Sequence, residues 1–239
     1  MKLEANKSII DCVAKNIKTV KKKYSNNDPT TGRKFIIWLF GITGLLAYNW
    51  WILAPFKTGI ISSPNELFSD LEIDGRPYAT VMQHLDLASG MLLLITFLVI
   101  GSRRNYFNFK EWLATVIFAV GGALGGIFSE TCSDTTNAVC RHAEWTLRLP
   151  LHHYLHLIVG IVEFGAISVA LYFAYQRTKG GKSLTAKIYK MLAKGAIVAY
   201  PLLGLAYVTN RFGAYIEPVF FASFTLIVIL QISERLSKS

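Results

Sequence analysis

The fold is decided by residues 151–175, LHHYLHLIVGIVEFGAISVALYFAY, an apolar run with histidines at its start and one carboxylate, Glu163, inside it. A helix of about 20 apolar residues crosses the hydrocarbon core of a bilayer. The run is continuous, whereas a strand of a membrane β-barrel would alternate apolar and polar residues over about ten positions. The sequence therefore predicts a transmembrane helix here.

Five further apolar segments of similar character surround this one. They are residues 36–53, 81–100, 112–128, 194–208 and 219–232. The chain is 52% hydrophobic and only 17% charged, with a mean hydropathy of +0.38, whereas about 25% of residues are charged in soluble domains. We therefore expect an all-α polytopic membrane protein, with residues 35–239 forming a single bundle of six transmembrane helices. The first 30 residues lack the apolar core of a signal peptide, so the first span is expected to remain in the mature protein.

The basic residues predict the orientation of the bundle. The 25 Lys and Arg residues exceed the 15 Asp and Glu residues, which gives a net charge of +10. Twenty of the 25 lie in the N-terminal tail, the 102–110 and 176–194 loops and the C-terminal tail, all on one side of the predicted spans. Lys and Arg collect on the cytoplasmic side, so both termini are expected in the cytoplasm and the protein in the plasma membrane. The basic excess then reports topology and gives no support for a nucleic-acid partner.

Residues 1–34 form a basic tail. Ile10, Val13, Ile17 and Val20 recur at helical spacing among lysines. This pattern suits an amphipathic helix on the anionic inner leaflet, with membrane lipids as partners. A solvated basic tail is an equally good interpretation.

All five histidines fall on the outer side of this topology. His152 and His156 are four residues apart, so on a helix they share one face and can bind one metal ion. His84 begins the second span from the same side and is the natural third ligand. A catalytic zinc ion needs three protein ligands and an open position for water, and Asp86 or Glu130 would act as the general base.

Simpler roles compete with this zinc site. A His-rich helix start at the membrane interface can serve as polar anchoring, and the glutamate of a zinc-protease helix is missing between His152 and His156. Glu163 lies deep in its span, where a carboxylate usually faces the bundle interior. It would pair with Arg211 or a histidine if its role is only to join two helices.

Other outer residues complete the predicted site. The expected lining of a lipid or substrate pocket is Asn49, His153, Glu163, Asn210, Arg211 and Glu217. Cys132 and Cys140 share an outer loop, where a disulfide would hold the loop over the bundle, with a metal-binding thiolate pair as the alternative. The glycines of Gly121-Gly122-x-x-Gly125-Gly126 favour close helix packing.

Short motifs in this order resemble the domain-of-unknown-function 998 family. They are Asn49-Trp50, Asn65-Glu66-Leu67, Gly75-x-Pro77-Tyr78-Ala79, Leu85-Asp86-x-Ala88-x-Gly90, Cys132 with Cys140 and Glu144, and His152-His153-x-x-His156. The resemblance covers roughly residues 36–232 and implies a six-helix bacterial-type membrane protein without a settled activity. A more distant similarity is to ceramidase-like membrane hydrolases, which gather Ser, Asp and three His around zinc. That similarity implies a catalytic place for Ser89, although the order of residues and the number of helices differ.

Three functions follow as hypotheses. The first is a zinc-dependent hydrolase of lipid amides or esters at the outer leaflet, with Zn²⁺ as its cofactor. The second is a non-enzymatic lipid-binding, sensing or accessory protein. The third, a small transporter, is weaker because the sequence shows no paired interrupted helices. A homo-oligomer is compatible with the sequence but is not indicated by it.

Overall fold

A computed structural model describes residues 31–52, 65–101 and 108–237 of the chain. This part contains seven α-helices, two 3₁₀ turns and no β-strand, so the all-α prediction is confirmed. The helices are α1 (Thr31–Tyr48), α2 (Ala79–Gly101), α3 (Phe109–Gly125), α4 (Ala138–Trp145), α5 (Leu151–Thr178), α6 (Leu184–Thr209) and α7 (Gly213–Ser237). The 3₁₀ turns are Asn49–Ile52 and Ser69–Glu72. The predicted amphipathic helix of the basic tail lies outside the described residues.

Four helices have the length and composition of membrane spans. They are α2, α5, α6 and the segment Gly213–Glu234 of α7. Helix α1 has 18 residues and α3 has 17, so both are at the lower limit for crossing a bilayer. All six helices coincide with predicted spans, and α6 begins ten residues before the predicted start at Lys194 because the predicted span covered only its apolar part.

The six long helices close into a ring. Helix α1 packs on α2, α2 on α3, α3 on α5, α5 on α6, α6 on α7, and α7 returns to α1. The centre of the ring is filled by buried side chains such as Phe97, Phe118, Leu171, Tyr189 and Phe224.

The polarity of the bundle is inverted relative to a soluble protein. Large apolar side chains, among them Trp38, Ile158 and Ile197, are exposed on the outer surface, while Glu111 and His153 are fully buried. Ionisable groups inside a membrane bundle avoid lipid by facing the interior. The distribution therefore supports a lipid environment around the helices.

Glycines allow the closest helix contact in the ring. A Cβ atom added at Gly90 on α2 would lie 2.2 Å from the backbone nitrogen of Ala123, and one added at Gly126 would lie 2.3 Å from the carbonyl oxygen of Gln83. The backbones of α2 and α3 thus touch directly. The packing role predicted for the glycine motif is confirmed at this crossing.

Loops close one end of the ring. We call residues 65–78 and 126–150 the cap; the second of these loops contains α4. The Asn137 side chain accepts hydrogen bonds from the backbone N–H groups of Val139 and Cys140 and so begins α4. The predicted disulfide between Cys132 and Cys140 is present, with the two Cα atoms 6.0 Å apart. It joins the cap loop to this helix.

A cluster of charged and polar side chains joins four helices, α3, α5, α6 and α7, at the opposite end. Arg177 of α5 binds Glu111 of α3, with Nε 2.8 Å from Oε2, and Glu234 of α7, with Nη2 2.8 Å from Oε2. Gln231 donates to Glu111 at 3.2 Å and the Tyr189 hydroxyl donates to Glu234 at 3.3 Å. We call these five residues the basal cluster.

Candidate functional site

A cavity of about 630 Å³ lies under the cap, inside the ring of helices. Small-molecule sites commonly enclose about 300–1,000 Å³, so the space is large enough for a ligand. Helices α5 and α6 supply most of its wall. The remainder comes from the cap, α1 and the 3₁₀ turn that follows it, α2, the end of α3 and α7. Apolar side chains such as Leu157, Phe164, Leu203 and Phe221 make up much of the surface.

Five carboxyl groups line this cavity. They belong to Glu72 and Glu130 of the cap, Asp86 of α2, Glu163 of α5 and Glu217 of α7. Among the described residues that line it, there is no Lys and no Arg. The cavity is therefore acidic as well as apolar.

Asp86 is the best-supported carboxylate of the five. The indole Nε1 of Trp50 donates a hydrogen bond to its Oδ1 at 2.6 Å, and Glu72 forms a second hydrogen bond with it. Burial raises the pKa of Glu72 well above its usual range, and the charge of Asp86 raises it further. Glu72 therefore holds the proton of the pair and donates it to Asp86.

Glu130 and His156 form a second polar pair. His156 Nδ1 donates to the carbonyl oxygen of Phe128 at 2.6 Å, and its Nε2 lies 3.4 Å from Glu130 Oε1. The pKa of Glu130 is raised well above its usual range, chiefly by burial and then by the charges of Asp70 and Asp134. Burial thus favours the protonated form of the Glu130 carboxyl, which can donate a hydrogen bond.

Glu217 lies at the cap end of the cavity. Glu163 lies at its deep end. Glu217 accepts a short hydrogen bond from the backbone N–H of Phe68, which ties the start of α7 to the cap. Glu163 packs on Gly121, where an added Cβ would lie 2.9 Å from the Glu163 Cβ. Glu163 follows His156, the first residue of α5 that lines the cavity, by seven residues, so it lies about 10 Å further along the helix.

Tyr48 presents a polar atom without a protein partner. The residue lines the cavity and is only 6% exposed, and its hydroxyl has no hydrogen-bond partner among the described residues. The ring is fixed by edge-on contacts with Phe118, Phe221 and Phe224. Buried polar atoms are nearly always hydrogen-bonded, so this hydroxyl marks a position where a ligand would complete the site.

The cavity reaches the side of the bundle between α5 and α6. Ile161, Pro201, Gly204 and Val208 line it and are also exposed on the outer surface. A Cβ atom added at Gly204, or at Gly160 on the facing helix, would meet no atom within 4 Å. These glycines therefore keep the opening wide.

Comparison with known proteins places this architecture in a family. The model of the family described as "Protein of unknown function (DUF998)" matches residues 42–232. The chain belongs to the DUF998 family. The matched range contains every cavity-lining residue and both bonded cysteines, and it excludes the basic tail. No curated protein and no solved structure matches the chain.

Five of the predicted site residues line the cavity of this DUF998 protein. They are Asp86, Glu130, His156, Glu163 and Glu217. The sequence predicts three separate roles for them, as general base, metal ligand and pocket lining. The structure places all five around one cavity. The predicted pairing of Glu163 with Arg211 is not among the ion pairs of the described residues, and Arg211 is exposed.

Four other predicted residues of the DUF998 chain make contacts elsewhere. Ser89 is buried and donates to the carbonyl oxygen of Gly44 at 2.9 Å, where α1 meets α2. Asn49 bonds the Leu45 carbonyl oxygen at 2.7 Å and the Thr225 hydroxyl at 3.0 Å, linking α1 to α7. Asn210 ends α6 and donates to the Thr135 carbonyl oxygen at 2.8 Å.

His153, in the first turn of α5, binds the cap. Its Nδ1 accepts from the backbone N–H of Thr131 at 3.2 Å, so Nε2 carries the proton and donates to Glu144 Oε2 at 3.0 Å. The Tyr207 hydroxyl also donates to Glu144. Together these bonds hold the cap on α5 and α6.

The three predicted zinc ligands of the DUF998 protein are not gathered. His84 is exposed and its Nδ1 donates to the Thr80 carbonyl oxygen at 2.6 Å, while the exposed His152 lies 3.2 Å from the Thr131 hydroxyl. His156 alone lines the cavity. Within residues 31–52, 65–101 and 108–237, no group of three or more His, Cys, Asp or Glu side chains is placed to hold a metal ion. The described residues are not arranged as the ligands of a zinc ion. Zinc binding stays a prediction from the sequence.

Sequence reasoning missed Glu72, Tyr48 and the direct role of Trp50 in this DUF998 site. Trp50 stands at the end of the first predicted span, where a tryptophan is typical of interfacial anchoring. Glu72 stands between Leu71 and Ile73, both of which are buried. An acidic residue flanked by two apolar ones in a short loop is the signal that would have identified it as an interior residue.

Proposed function

We propose that this DUF998 protein is a plasma-membrane protein that binds an amphiphilic lipid in the acidic cavity. Six helices span the membrane, both termini are cytoplasmic and the cap lies on the outer side. The lipid enters from the bilayer between α5 and α6. Binding, without a chemical step, is the function that the geometry supports best.

The side opening carries this proposal. Its exposed rim, which includes Ile161 and Val208, lies between two apolar helices that have the length of membrane spans. An opening at that place faces the acyl chains of the bilayer. The interior offers apolar walls for a chain and carboxyl groups for a polar head, which is the distribution that an amphiphile requires.

The outer surface supports six spans. Helix α1 exposes Phe35, Trp38 and Leu46, and α3 exposes Leu113 and Ile117. Both helices belong to the same ring as the four longer ones. Their apolar faces would be unstable in water, so they are best covered by lipid.

The disulfide and the basic loops support the orientation. Disulfides persist in oxidising compartments outside the cytoplasm, and Cys132–Cys140 lies in the cap. Twenty of the 25 basic residues belong to the tails and loops that the sequence assigns to the other side of the membrane. The two observations support the proposal that the cap lies outside.

Binding is favoured over zinc-dependent hydrolysis by the positions of the proposed catalytic groups. His84 and His152 lie outside the cavity, and the Ser89 hydroxyl is committed to the Gly44 carbonyl. A hydrolytic zinc site needs its ligands to converge at about 2.0–2.1 Å from one centre. These residues do not converge.

A cross-linking experiment tests the binding proposal. Purified protein in nanodiscs is irradiated with a lipid that carries a diazirine in its acyl chain, and the modified peptides are mapped. We expect cross-links at residues 157–164 and 200–208. A Gly204→Leu variant fills the opening and should lose most of them.

The matched control is Gly195→Leu on the same helix. A Cβ added at Gly195 also meets no atom within 4 Å, but the residue does not line the cavity. This variant should be cross-linked to the same extent, and at the same residues, as the unmodified protein. Equal labelling of all outer helix faces, unchanged by Gly204→Leu, would refute lipid binding in the cavity.

A further inference from the structure

We infer that the occupant of the cavity carries an ammonium head group with at least one N–H bond and no phosphate. The inference rests on the proposed lipid binding and specifies the chemical class of the ligand. It is carried by the charges of the cavity and, independently, by one unpartnered buried hydroxyl.

The charges of the lining exclude an anionic head. Five carboxyl groups line the cavity, and no Lys or Arg stands among the described lining residues. A phosphate would meet the negative charge of Asp86 with no lining Lys or Arg to pair with it, inside a protein where electrostatic interactions are stronger than in water. A cationic head group would instead be attracted by the negative charge of the cavity.

Asp86 is the counter-ion for such a cation. It accepts hydrogen bonds from Trp50 Nε1 and from Glu72, and both donors stabilise its charged form. Neither donor is positively charged, and no Lys or Arg stands among the described lining residues, so none of these residues neutralises the negative charge of Asp86. A buried charge requires a partner, and an ammonium group supplies one.

The Tyr48 hydroxyl is the independent observation. It is buried and has no hydrogen-bond partner in the part of the chain that the structure describes, and the carboxyl groups that act on it electrostatically are Glu163, Asp86 and Glu217, all in the cavity wall. Its oxygen can accept a hydrogen bond from the ligand. An ammonium N–H near Asp86 would satisfy the hydroxyl and the carboxylate together.

Aromatic side chains add a third contribution. Tyr48, Trp50, Phe164 and Phe221 line the same space. The faces of such rings attract a desolvated cation. The cavity thus combines negative charge, a free acceptor and aromatic faces, which is the chemistry that recognises an amine.

Four amphiphiles with the same chain test the inference. Dodecylamine, dodecyltrimethylammonium, dodecanol and dodecyl phosphate compete with the diazirine lipid for cross-linking to the full-length protein in nanodiscs. We expect dodecylamine to compete at a concentration at least ten-fold lower than dodecanol, with dodecyl phosphate the weakest. Dodecyltrimethylammonium has no N–H and should be several-fold weaker than the amine.

Two variants locate the recognition. Asp86→Asn should lower competition by dodecylamine at least ten-fold and leave dodecanol unchanged. Tyr48→Phe keeps the ring contacts and should weaken only the amine, by several-fold. Asp74→Asn is the control, because Asp74 is an exposed cap carboxylate that does not line the cavity.

The outcomes separate this inference from the proposed function. Equal competition by all four amphiphiles overturns the amine head group and leaves lipid binding intact. Equal strength of the amine and the trimethylammonium overturns the N–H requirement. Absence of cavity cross-links overturns lipid binding itself. If Asp86→Asn does not fold, the effect of Tyr48→Phe on competition by dodecylamine decides whether the inference holds.

Discussion

Asp134 illustrates how the cap holds carboxyl groups close together. The residue is buried beside Glu144 and Asp70, and its Oδ2 lies 3.2 Å from Arg141 Nη1. Burial is the largest cause that raises the pKa of Asp134, to about 7, and the charges of Glu144 and Asp70 raise it further. Arg141 and His153 oppose this shift without cancelling it.

The raised pKa of Asp134 predicts a dependence of stability on pH. Below about pH 4 the Asp134 carboxyl is protonated in both the folded and the unfolded state, so it does not change the free energy of unfolding. Between about pH 4 and 7 only the unfolded state is ionised, so stability falls as pH rises, and above about pH 7 the cost is complete. Asp134→Asn should flatten the fall of melting temperature over this window.

The control for this measurement is Asp74→Asn, an exposed carboxylate of the same cap. It should retain the full fall in melting temperature. A fall as steep in Asp134→Asn as in the unmodified protein would show that Asp134 is not the titrating group.

At the level of elements, the crossing of α2 and α3 is the least tolerant contact. The atom nearest to a Cβ added at Gly90 is backbone, the nitrogen of Ala123 at 2.2 Å. Backbone atoms of a packed helix cannot rotate away as a side chain can. The two helices must separate to accept even one methyl group.

Gly90→Ala is therefore predicted to lower the free energy of unfolding by about 3 kcal/mol, the upper part of the usual range for overpacking. Gly195→Ala on α6 meets no neighbouring atom and should raise stability by up to about 1 kcal/mol, because alanine favours a helix. Thermal unfolding in detergent measures both. A neutral Gly90→Ala variant would contradict the close contact.

Two elements show where sequence patterns fall short. Helix α6 begins at Leu184, after Ser183 accepts a hydrogen bond from the Ala186 N–H, whereas the apolar pattern starts at Lys194. Its first turns carry lysines that hydropathy assigns to a loop. Helix α4 has only eight residues and a disulfide, so no apolar period announces it.

On the scale of the molecule, the basal cluster joins helices that are distant in sequence. Arg177 bridges α3 and α7 through Glu111, which is fully buried, and Glu234. Removing one partner of a buried ion pair leaves an uncompensated charge. Removing Arg177 should therefore lower the free energy of unfolding by more than removing an exposed cation does.

Arg177→Ala is predicted to lower the free energy of unfolding by about 3–5 kcal/mol. Arg148→Ala, at an exposed position in the cap, should change it by less than about 0.5 kcal/mol. Denaturant unfolding compares the two variants. Replacing Arg177, Glu111 and Glu234 together by Met, Leu and Leu should recover most of the loss, and failure of this recovery would contradict the buried-charge explanation.

The sequence predicted the ring more completely than the cavity, for a physical reason. Apolar runs and glycine spacing are local, so the helices, their packing glycines and the disulfide followed from neighbouring residues. The carboxyl group of Glu163 stands out deep inside a span because membrane burial of charge is costly, and that of Asp86 lies at the outer end of a span. Their convergence with Glu72 and Tyr48 depends on contacts between distant segments, and no spacing in the chain encodes those contacts.

The opening between α5 and α6 also determines how affinity must be expressed. A ligand that arrives through the side of the bundle is drawn from the surrounding bilayer, where its concentration is a mole fraction of lipid and is unrelated to its solubility in water. Detergent molecules occupy the same medium and compete for the same entrance. A dissociation constant measured in micelles will therefore change with detergent concentration, and measurement in lipid discs of defined composition removes that dependence.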